Sequence, residues 1–180
     1  KTYYPVEFMA GLLTTAEGKK DGNKDNKQIK YMVEAEEMGI EILAPDVNLS
    51  NADWTPNAEE KTIRYGLSSI AGISSEDVDV IKAQRPFFDF DEFLVKNKET
   101  MKIKKDKMEN LIKAGAFDAL NPNRNLLLRH FYESRGEEFE HVPTTTTKKT
   151  IMAYERDMIG RSISVRSRWE QIEDGKEGVQ

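Results

Sequence analysis

The sequence predicts a mainly α-helical protein with a few short strands. Apolar residues recur three and four positions apart along segments such as 8–13 and 108–112, which is the spacing of one helix face. Gly39 and Gly115 follow two apolar segments, where glycine readily takes the left-handed conformation that ends a helix. The alternation typical of a strand is limited to residues 40–43.

Two helices are predicted near the start of the chain. Pro5 and Glu7 suit the first turn of a helix, because proline needs no amide partner there and an acid complements the helix dipole. Residues 17–27 have the composition of an exposed loop. Asn26 is placed to cap the second helix, which ends at Gly39.

A helix, a glycine turn and another helix are predicted in the middle of the chain. Residues 46–62 are expected to be irregular around a buried Trp54. Residues 63–70 carry apolar side chains at helical spacing, and Gly72 breaks that pattern. Ser74, with an acidic residue three positions later, has the capping-box pattern that starts the next helix.

The rest of the chain is predicted to be helical around one irregular segment. The phenylalanines within residues 87–93 are expected in the core, with stacking on bases as the alternative, and Asp89 is expected to cap a short helix. A turn at residues 121–123 precedes a further helix. Residues 137–147, with four consecutive threonines, have the composition of a linker, and an amphipathic helix is predicted over residues 151–159.

The composition argues against several classes of site. The chain has no cysteine and only two histidines, His130 and His141, which leaves no disulfide, no thiolate nucleophile and little scope for a multi-histidine metal centre. A net charge of -5 does not fit a protein that coats nucleic acid by bulk charge. No apolar run approaches the ~18 residues of a membrane span, and no signal peptide opens the chain. Because the chain starts at Lys1 without an initiator methionine, we expect a piece of a longer protein.

The predicted glycine turn is a candidate anion site. Backbone amides at the start of a helix after a tight turn point outward and, with the helix dipole, bind a phosphate without reading bases. The candidate residues are Gly72, Ile73, Ser74 and Ser75, with the two serine hydroxyls as additional donors and Lys82 two turns further on. The same pattern also fits an ordinary helical hairpin without a ligand.

A basic run gives a second candidate contact. Residues 96–107 contain six lysines, of which Lys102, Lys104 and Lys105 are assigned to DNA phosphates. Acidic residues within the run, such as Asp106, fit the alternative of a solvated surface. Both interpretations stay open from the sequence alone.

Two pairs of aspartates have the spacing of a two-metal phosphoryl-transfer site but are not assigned to one. Two-metal catalysis needs carboxylates that converge on cations ~4 Å apart. Asp77 and Asp79 lie on a predicted helix, where residues two apart point away from each other. Asp89 and Asp91 sit among phenylalanines, where capping a helix is the better explanation. We therefore assign no catalytic residue, no metal ligand and no cofactor to this chain.

Five blocks of the sequence form an ordered pattern over most of residues 3–165. In chain order they are YPVEFMAGLL at residues 4–13, MGIEILAPDVN at 38–48, IRYGLSSIAGI at 63–73, LIKAGAFDAL at 111–120 and YERDMIG at 154–160. These blocks resemble, in the same order, the bacterial replicative DNA polymerases of the C family, the family of the DNA polymerase III alpha subunit.

The resemblance implies three parts. They are a helical remnant of the fingers (1–49), a tandem helix-hairpin-helix unit that binds DNA (50–128), and a linker and helix (129–180) leading toward an OB domain. It also implies that the catalytic palm and its Mg²⁺ lie outside this chain, which would grip primer–template duplex through phosphates without polymerising nucleotides. The implied partners are DNA and other replisome subunits, and the implied location is the cytoplasm, at the nucleoid.

The hairpin departs from the family pattern. Where family members usually read Lys-Gly-Val-Gly, this chain has Ala71, Gly72, Ile73 and Ser74, without the basic residue and the second glycine. No segment of residues 131–149 matches the sliding-clamp motif of the family, so the resemblance gives no support for clamp binding there. These departures fit a divergent member, such as one carried by a phage.

Two other functions stay open from the sequence. The negative net charge and Ala71 also suit a replisome segment that acts as a protein-interaction module or spacer without touching DNA. A free-standing helix-hairpin-helix protein of a repair or phage system is a further alternative, although the block at residues 4–13 would have no role in it.

Overall fold

The computed structural model describes residues 4–16 and 27–164 of the 180-residue chain. Within these residues the predicted mainly α class is confirmed. The helices are α1 (Pro5–Thr15), α2 (Lys27–Glu37), α3 (Ser75–Ala83), α4 (Phe90–Lys96), α5 (Lys105–Ala114), α6 (Arg124–Ser134) and α7 (Lys148–Met158). The strands are β1 (Glu41–Leu43), β2 (Thr55–Asn57) and β3 (Thr62–Arg64).

Two predictions near the start of the chain cannot be compared with the structure. The exposed loop falls almost wholly outside the described residues, and so does the Asn26 cap. Among the helices that are described, none combines the length and the apolar character needed to cross a membrane.

The strands form one small sheet in the order β1-β3-β2. β3 lies in the middle, parallel to β1 and antiparallel to β2, so that Ile63 pairs with Ile42 on one side and Pro56 on the other. The helix predicted over residues 63–70 is therefore wrong. The segment begins as β3, and only Leu67–Ser69 makes a helical turn, of the 3₁₀ type. Long-range strand pairing decides the outcome, because apolar spacing over so few residues also fits a buried strand.

Trp54 is buried, as the sequence predicts, and it joins the sheet region to the two N-terminal helices. It is 4% exposed, and its indole nitrogen donates to Ser69 Oγ at 2.9 Å. Gln28 of α2 donates to the same oxygen at 3.0 Å. A Cβ on Gly66 would lie 2.5 Å from the backbone oxygen of Ala52, so glycine is needed where these two stretches cross. These contacts fix the 3₁₀ turn in place.

Several predicted helix ends are confirmed. Ser74 and Asp77 exchange both bonds of a capping box at the start of α3. Asp89 caps α4 through a side-chain oxygen that accepts from a backbone amide. The turn predicted at residues 121–123 does precede α6, and Asn123 caps that helix in the same way, although no cap is predicted there. Gly115 ends α5 with a φ of 91°, in the left-handed region. Local hydrogen bonding rules thus place these boundaries.

The phenylalanine cluster is core, with one exception. Phe87, Phe90 and Phe93 are buried, whereas Phe88 is 80% exposed. Phe90 and Phe93 meet the ring of Phe117 edge-on, with centroids 5.0 and 4.7 Å away. This packing fixes α4 against the turn that follows α5.

The segment of residues 137–147 has no helix or strand, but it is not a free linker. Asn125 of α6 donates through Nδ2 to the carbonyl of Thr145 at 2.8 Å, and its amide donates to Thr146 Oγ1 at 2.8 Å. Arg129 donates to the carbonyl of Val142 at 2.5 Å, and Val142 is itself buried. The threonines therefore hold the segment along α6.

A buried ion cluster joins three parts of the chain. The guanidinium of Arg124 lies 2.6 Å from Asp118 Oδ2 and 2.8 Å from Glu155 Oε2, and the side chains of Arg124 and Glu155 are fully buried. Arg124 also donates to the carbonyl of Lys113 at 3.0 Å. Burial lowers the pKa of Arg124, but hydrogen bonds and charges from Asp118 and Glu155 outweigh this effect and raise the pKa overall. A Cβ on Gly115 would stand 2.4 Å from the guanidinium, so glycine makes room for it.

We expect Arg124→Met to destabilise the chain by about 3–5 kcal/mol, because the substitution leaves Glu155 buried without its cation. Urea unfolding followed by circular dichroism measures the loss. Arg64→Met is the control, since Arg64 is half-buried and gives up one hydrogen bond, to the Ala44 carbonyl at 2.9 Å. That control should lose about 1 kcal/mol. Equal losses in the two variants would contradict the role assigned to Arg124.

Candidate nucleic-acid interface

Two hairpins with the same layout lie next to each other in the fold. Hairpin 1 comprises the 3₁₀ turn, the glycine turn and α3, residues 67–83. Hairpin 2 comprises α4, a π-helical turn at Asn97–Met101 and α5, residues 90–114. A helix follows the tight turn in both, which is the geometry that aims backbone amides at an anion.

The two turns share one backbone pattern. Gly72 and Lys102 are both left-handed, with φ of 80° and 54°. A buried isoleucine follows each of them. Ser74 and Lys104 then take extended conformations as N-caps of α3 and α5. The turns are therefore structural equivalents, although one uses glycine and serine and the other uses two lysines.

The hydrogen bonds of hairpin 1 leave only part of its turn open to a ligand. The amide of Ile73 donates to the carbonyl of Ile70 at 3.1 Å, and the amide of Ser74 donates to Asp77 Oδ2 at 2.9 Å. Three amides have no acceptor in the described part of the chain, those of Gly72, Ser75 and Glu76. The carboxylate of Asp77 thus holds one of the positions that a phosphate would need.

Hairpin 2 is the more open of the two. The amides of Lys102 and Ile103 donate to the backbone and side-chain oxygens of Asn97, at 2.7 and 2.8 Å. The amides without an acceptor among the described residues include those of Lys104, Lys105 and Asp106. In contrast to Ser74, Lys104 has no side-chain cap, so no carboxylate competes for its amide.

An ion pair joins the two hairpins at equivalent positions. Lys107 in the first turn of α5 lies 2.7 Å from Asp77 in the first turn of α3. Asn110 of α5 donates to the carbonyl of Ala71 at 2.8 Å, beside the glycine turn. Burial acts to raise the pKa of Asp77, but hydrogen bonds from Lys107 and Ser74 outweigh it and hold the pKa below its ordinary value. Asp77 is therefore ionised at neutral pH.

The balance of charge differs between the two hairpins. The start of α3 carries Glu76 and Asp77, with Asp79 exposed behind them. The turn and start of α5 carry exposed Lys102 and Lys104 beside one exposed acid, Asp106. In addition, Lys105 at the start of α5 is 2.9 Å from Glu137 and lies over the ring of Tyr132, so its charge is partly engaged within the chain.

The structure brings together most of the residues that the sequence assigns to DNA phosphates, but not Lys82. Seven of them lie in the two turns or at the helix starts, namely Gly72, Ile73, Ser74, Ser75, Lys102, Lys104 and Lys105. Lys82 is exposed in the last turn of α3, roughly 10 Å along the helix axis from Ser75. The assignment of these residues to phosphates stays a prediction.

The resemblance implies a tandem unit, but the sequence does not locate its second hairpin, because residues 96–107 are interpreted only as a basic run. The signal that could have found it is the repeated turn-Ile-cap order of Gly72-Ile73-Ser74 and Lys102-Ile103-Lys104. It is hidden because a lysine in place of glycine gives no sign of a left-handed turn.

The aspartate pairs take structural positions. Asp77 completes the capping box of α3, and Asp79 behind it is exposed. Asp89 is the N-cap of α4, and Asp91 lies 2.5 Å from His130 at the surface. Within residues 4–16 and 27–164, no group of three or more acidic or histidine side chains is arranged to hold a metal ion.

Comparison with known proteins matches this chain first to a class of DNA-binding motif and then to particular relatives. The family model of the helix-hairpin-helix motif matches residues 39–127, which contain both hairpins. The DNA polymerase III subunit alpha of Saccharopolyspora erythraea is 32% identical over 91% of this chain and 16% of that protein. The corresponding subunits of Aquifex aeolicus and Chlamydia trachomatis are each 33% identical, over 89% and 91% of this chain.

The chain belongs to the DNA polymerase III alpha family, as the five sequence blocks predict. It spans only 12% to 16% of the length of these three relatives. It therefore corresponds to one part of such a subunit.

We expect the stabilising effect of the Asp77 charge to depend on pH. Because the folded-state pKa is depressed, this stability is present above the unfolded-state pKa of ~3.9 and is lost as the pH falls through the lower folded-state value. Asp77→Asn should thus be less stable than the unsubstituted chain at pH 7, with a difference that closes as the pH falls below ~4. Urea unfolding across this pH range measures the difference.

Asp79→Asn is the control for this prediction, because Asp79 is exposed on the same helix. A gap that stays constant with pH in Asp77→Asn, or an equal gap in the control, would show that the Asp77 charge does not stabilise the hairpin junction.

Proposed function

We propose that this chain is a DNA-binding, non-catalytic part of a DNA-directed DNA polymerase and holds duplex DNA through backbone phosphates. The observation that carries the proposal is the pair of equivalent hairpins, each with open amides at a helix start. Membership of the DNA polymerase III alpha family and the helix-hairpin-helix match support it.

The donors in the hairpins favour phosphates over bases. Backbone amides and lysine ammonium groups bind phosphate oxygens at any sequence, whereas base reading needs side chains with paired donors and acceptors inserted into a groove. In hairpin 2, Lys102 and Lys104 surround open amides, and the hairpin 1 turn adds those of Gly72 and Ser75. The contact proposed here is therefore non-specific in sequence.

Hairpin 2 supplies most of the affinity in this proposal. Lys102 and Lys104 outnumber the one acid beside them, Asp106, whereas the start of α3 presents Glu76 and Asp77 without a lysine. Lys82 adds a cation on hairpin 1, but at the far end of α3. Hairpin 1 then serves chiefly to position hairpin 2 through the contacts of Asp77 and Ala71 with α5.

In the parent protein, we propose that nucleotide addition and its Mg²⁺ belong to parts of the subunit that this chain does not contain. The relatives are named as DNA polymerase III alpha subunits, and this chain matches a small share of each. The phosphate grip would hold the primer–template duplex and support processivity. This role would place the chain at the nucleoid with the other replisome subunits.

The test is the binding of the chain to a fluorescein-labelled primer–template duplex over a salt series. We expect a Kd of ~10⁻⁴ to 10⁻⁶ M that weakens with salt, as for other non-specific phosphate contacts. Lys104→Glu should weaken binding by roughly fivefold to tenfold and reduce the salt slope by about 1. Gly72→Val forces a side chain into the left-handed turn, 3.1 Å from Asn110, and should have a smaller effect.

Lys30→Glu is the matched control, since it makes the same charge change at an exposed lysine on α2. Circular dichroism confirms that each variant is folded. Binding without salt dependence, or equal losses in Lys104→Glu and Lys30→Glu, would contradict the phosphate grip. The negative net charge would then favour the second candidate, a replisome segment that acts as a spacer or protein-interaction module.

A further inference from the structure

A cleft of about 630 Å³ opens between the α4 side of hairpin 2 and helix α6. Leu94 and Val95 of α4 form one side, and Phe131 and Arg135 from the end of α6 form the other. This volume is in the range of sites that hold small ligands or short peptide segments. Nothing in the phosphate grip proposed above requires such a cleft.

The cleft is positively charged. Lys98, Lys102 and Arg135 line it, and none of the described residues that line it is acidic. Lys98 and Lys102 are exposed and have no ion pair within the described part of the chain. The Nε of Arg135 lies 3.0 Å from Glu137 Oε2, and its guanidinium carbon lies 5.7 Å from the centroid of the Phe131 ring. These two contacts hold Arg135 at the edge of the cleft. An occupant of complementary charge is therefore acidic.

The cleft also presents apolar surface. Val95 is 54% exposed although it is a large aliphatic residue, and Leu94 beside it is half-buried. The buried side chain of Ile103 also lines the cleft. An occupant that places an apolar side chain against these residues removes that surface from water.

These features favour a peptide over nucleic acid. Single-stranded DNA is held by stacking of bases on exposed aromatic rings. The one aromatic residue that lines the cleft, Phe131, is 3% exposed and offers no ring face. Duplex DNA is too wide to enter a cleft of this size, so it would contact only the rim.

We propose that this cleft docks a short segment of a partner protein in which acidic residues flank an apolar side chain. The carboxylates pair with Lys98 and Lys102, which have no ion pair among the described residues, and the apolar side chain packs on Leu94 and Val95. Charge complementarity and the exposed aliphatic wall both select this occupant. A protein contact at this position would link the DNA-binding part to another component of the same assembly.

The experiment measures fluorescence anisotropy of a short fluorescein-labelled peptide that combines several aspartates with two leucines, titrated with the 180-residue chain. Lys98→Glu reverses a charge in the cleft, and Val95→Asp replaces its exposed apolar surface by a carboxylate. We expect each to weaken binding by roughly threefold to tenfold. Lys30→Glu, on α2 outside the cleft, should leave it unchanged.

Two altered probes separate the features of the occupant. A peptide with serines in place of the leucines, and one with asparagines in place of the aspartates, should both bind more weakly than the parent peptide. Equal binding of the parent and serine peptides, or an equal effect of Lys30→Glu, would mean general charge attraction and overturn the proposal. So would the absence of binding to any peptide.

A thymidine oligonucleotide tests the other class of occupant. If it binds more tightly than the peptide and loses affinity in Lys98→Glu and Val95→Asp, the cleft is a single-strand site and the peptide proposal is wrong. Different variants distinguish a failure of peptide binding in the cleft from a failure of duplex binding at the hairpins. Lys102 belongs to both sites, so the separation uses a variant that adds no charge. Val95→Ser removes apolar cleft surface and should weaken peptide binding while duplex binding stays intact. Lys104→Glu should weaken duplex binding and leave peptide binding intact, because Lys104 does not line the cleft.

Discussion

The buried cluster of Arg124, Asp118 and Glu155 is the constraint on which the arrangement of both hairpins depends. A buried guanidinium is tolerated only where its charge and its donors are all matched, and a single packing of the turn after α5, the start of α6 and the middle of α7 achieves this. Gly115 is part of the same requirement, since any side chain there would displace the guanidinium. The cluster thus converts a set of short helices, each weak alone, into one fixed arrangement.

The two hairpins share one backbone conformation but differ in the contacts made by their helix starts. The helix start of hairpin 1 is engaged within the chain, because Asp77 accepts from the amide of Ser74 in the capping box and binds Lys107 of the neighbouring helix. Hairpin 2 leaves its amides and Lys104 open. An acidic protein can bind DNA in this way, since the local charge at the contact matters more than the net charge of the chain. In the proposed phosphate grip, the lysines of the second turn take the place of the lysine that is absent at Ala71.

Sequence reasoning succeeds in this chain where the cause is local. The caps at Ser74 and Asp89 and the stop at Gly115 follow from hydrogen bonding within a few residues, and the structure shows all three. It fails where the partner is distant in the chain. Ile63 joins a strand because of pairing with β1 and β2, and no local pattern signals this. The likeness of the Lys102 turn to the glycine turn is equally hidden, since it resides in backbone angles.

Two of the sequence blocks that carry the resemblance to the polymerase family meet in the structure, although helical periodicity gives no sign of this contact. The blocks at residues 111–120 and 154–160 lie far apart in sequence, yet the structure joins them through Arg124. Helix α7 in turn touches both hairpins, because the carbonyl of Met158 accepts from the amide of Ala71 at 3.3 Å and Lys113 of α5 lies over the Tyr154 ring. It acts as a strut. A displacement of α7 would therefore move both turns together, so that the proposed phosphate contacts of the two hairpins would change in concert.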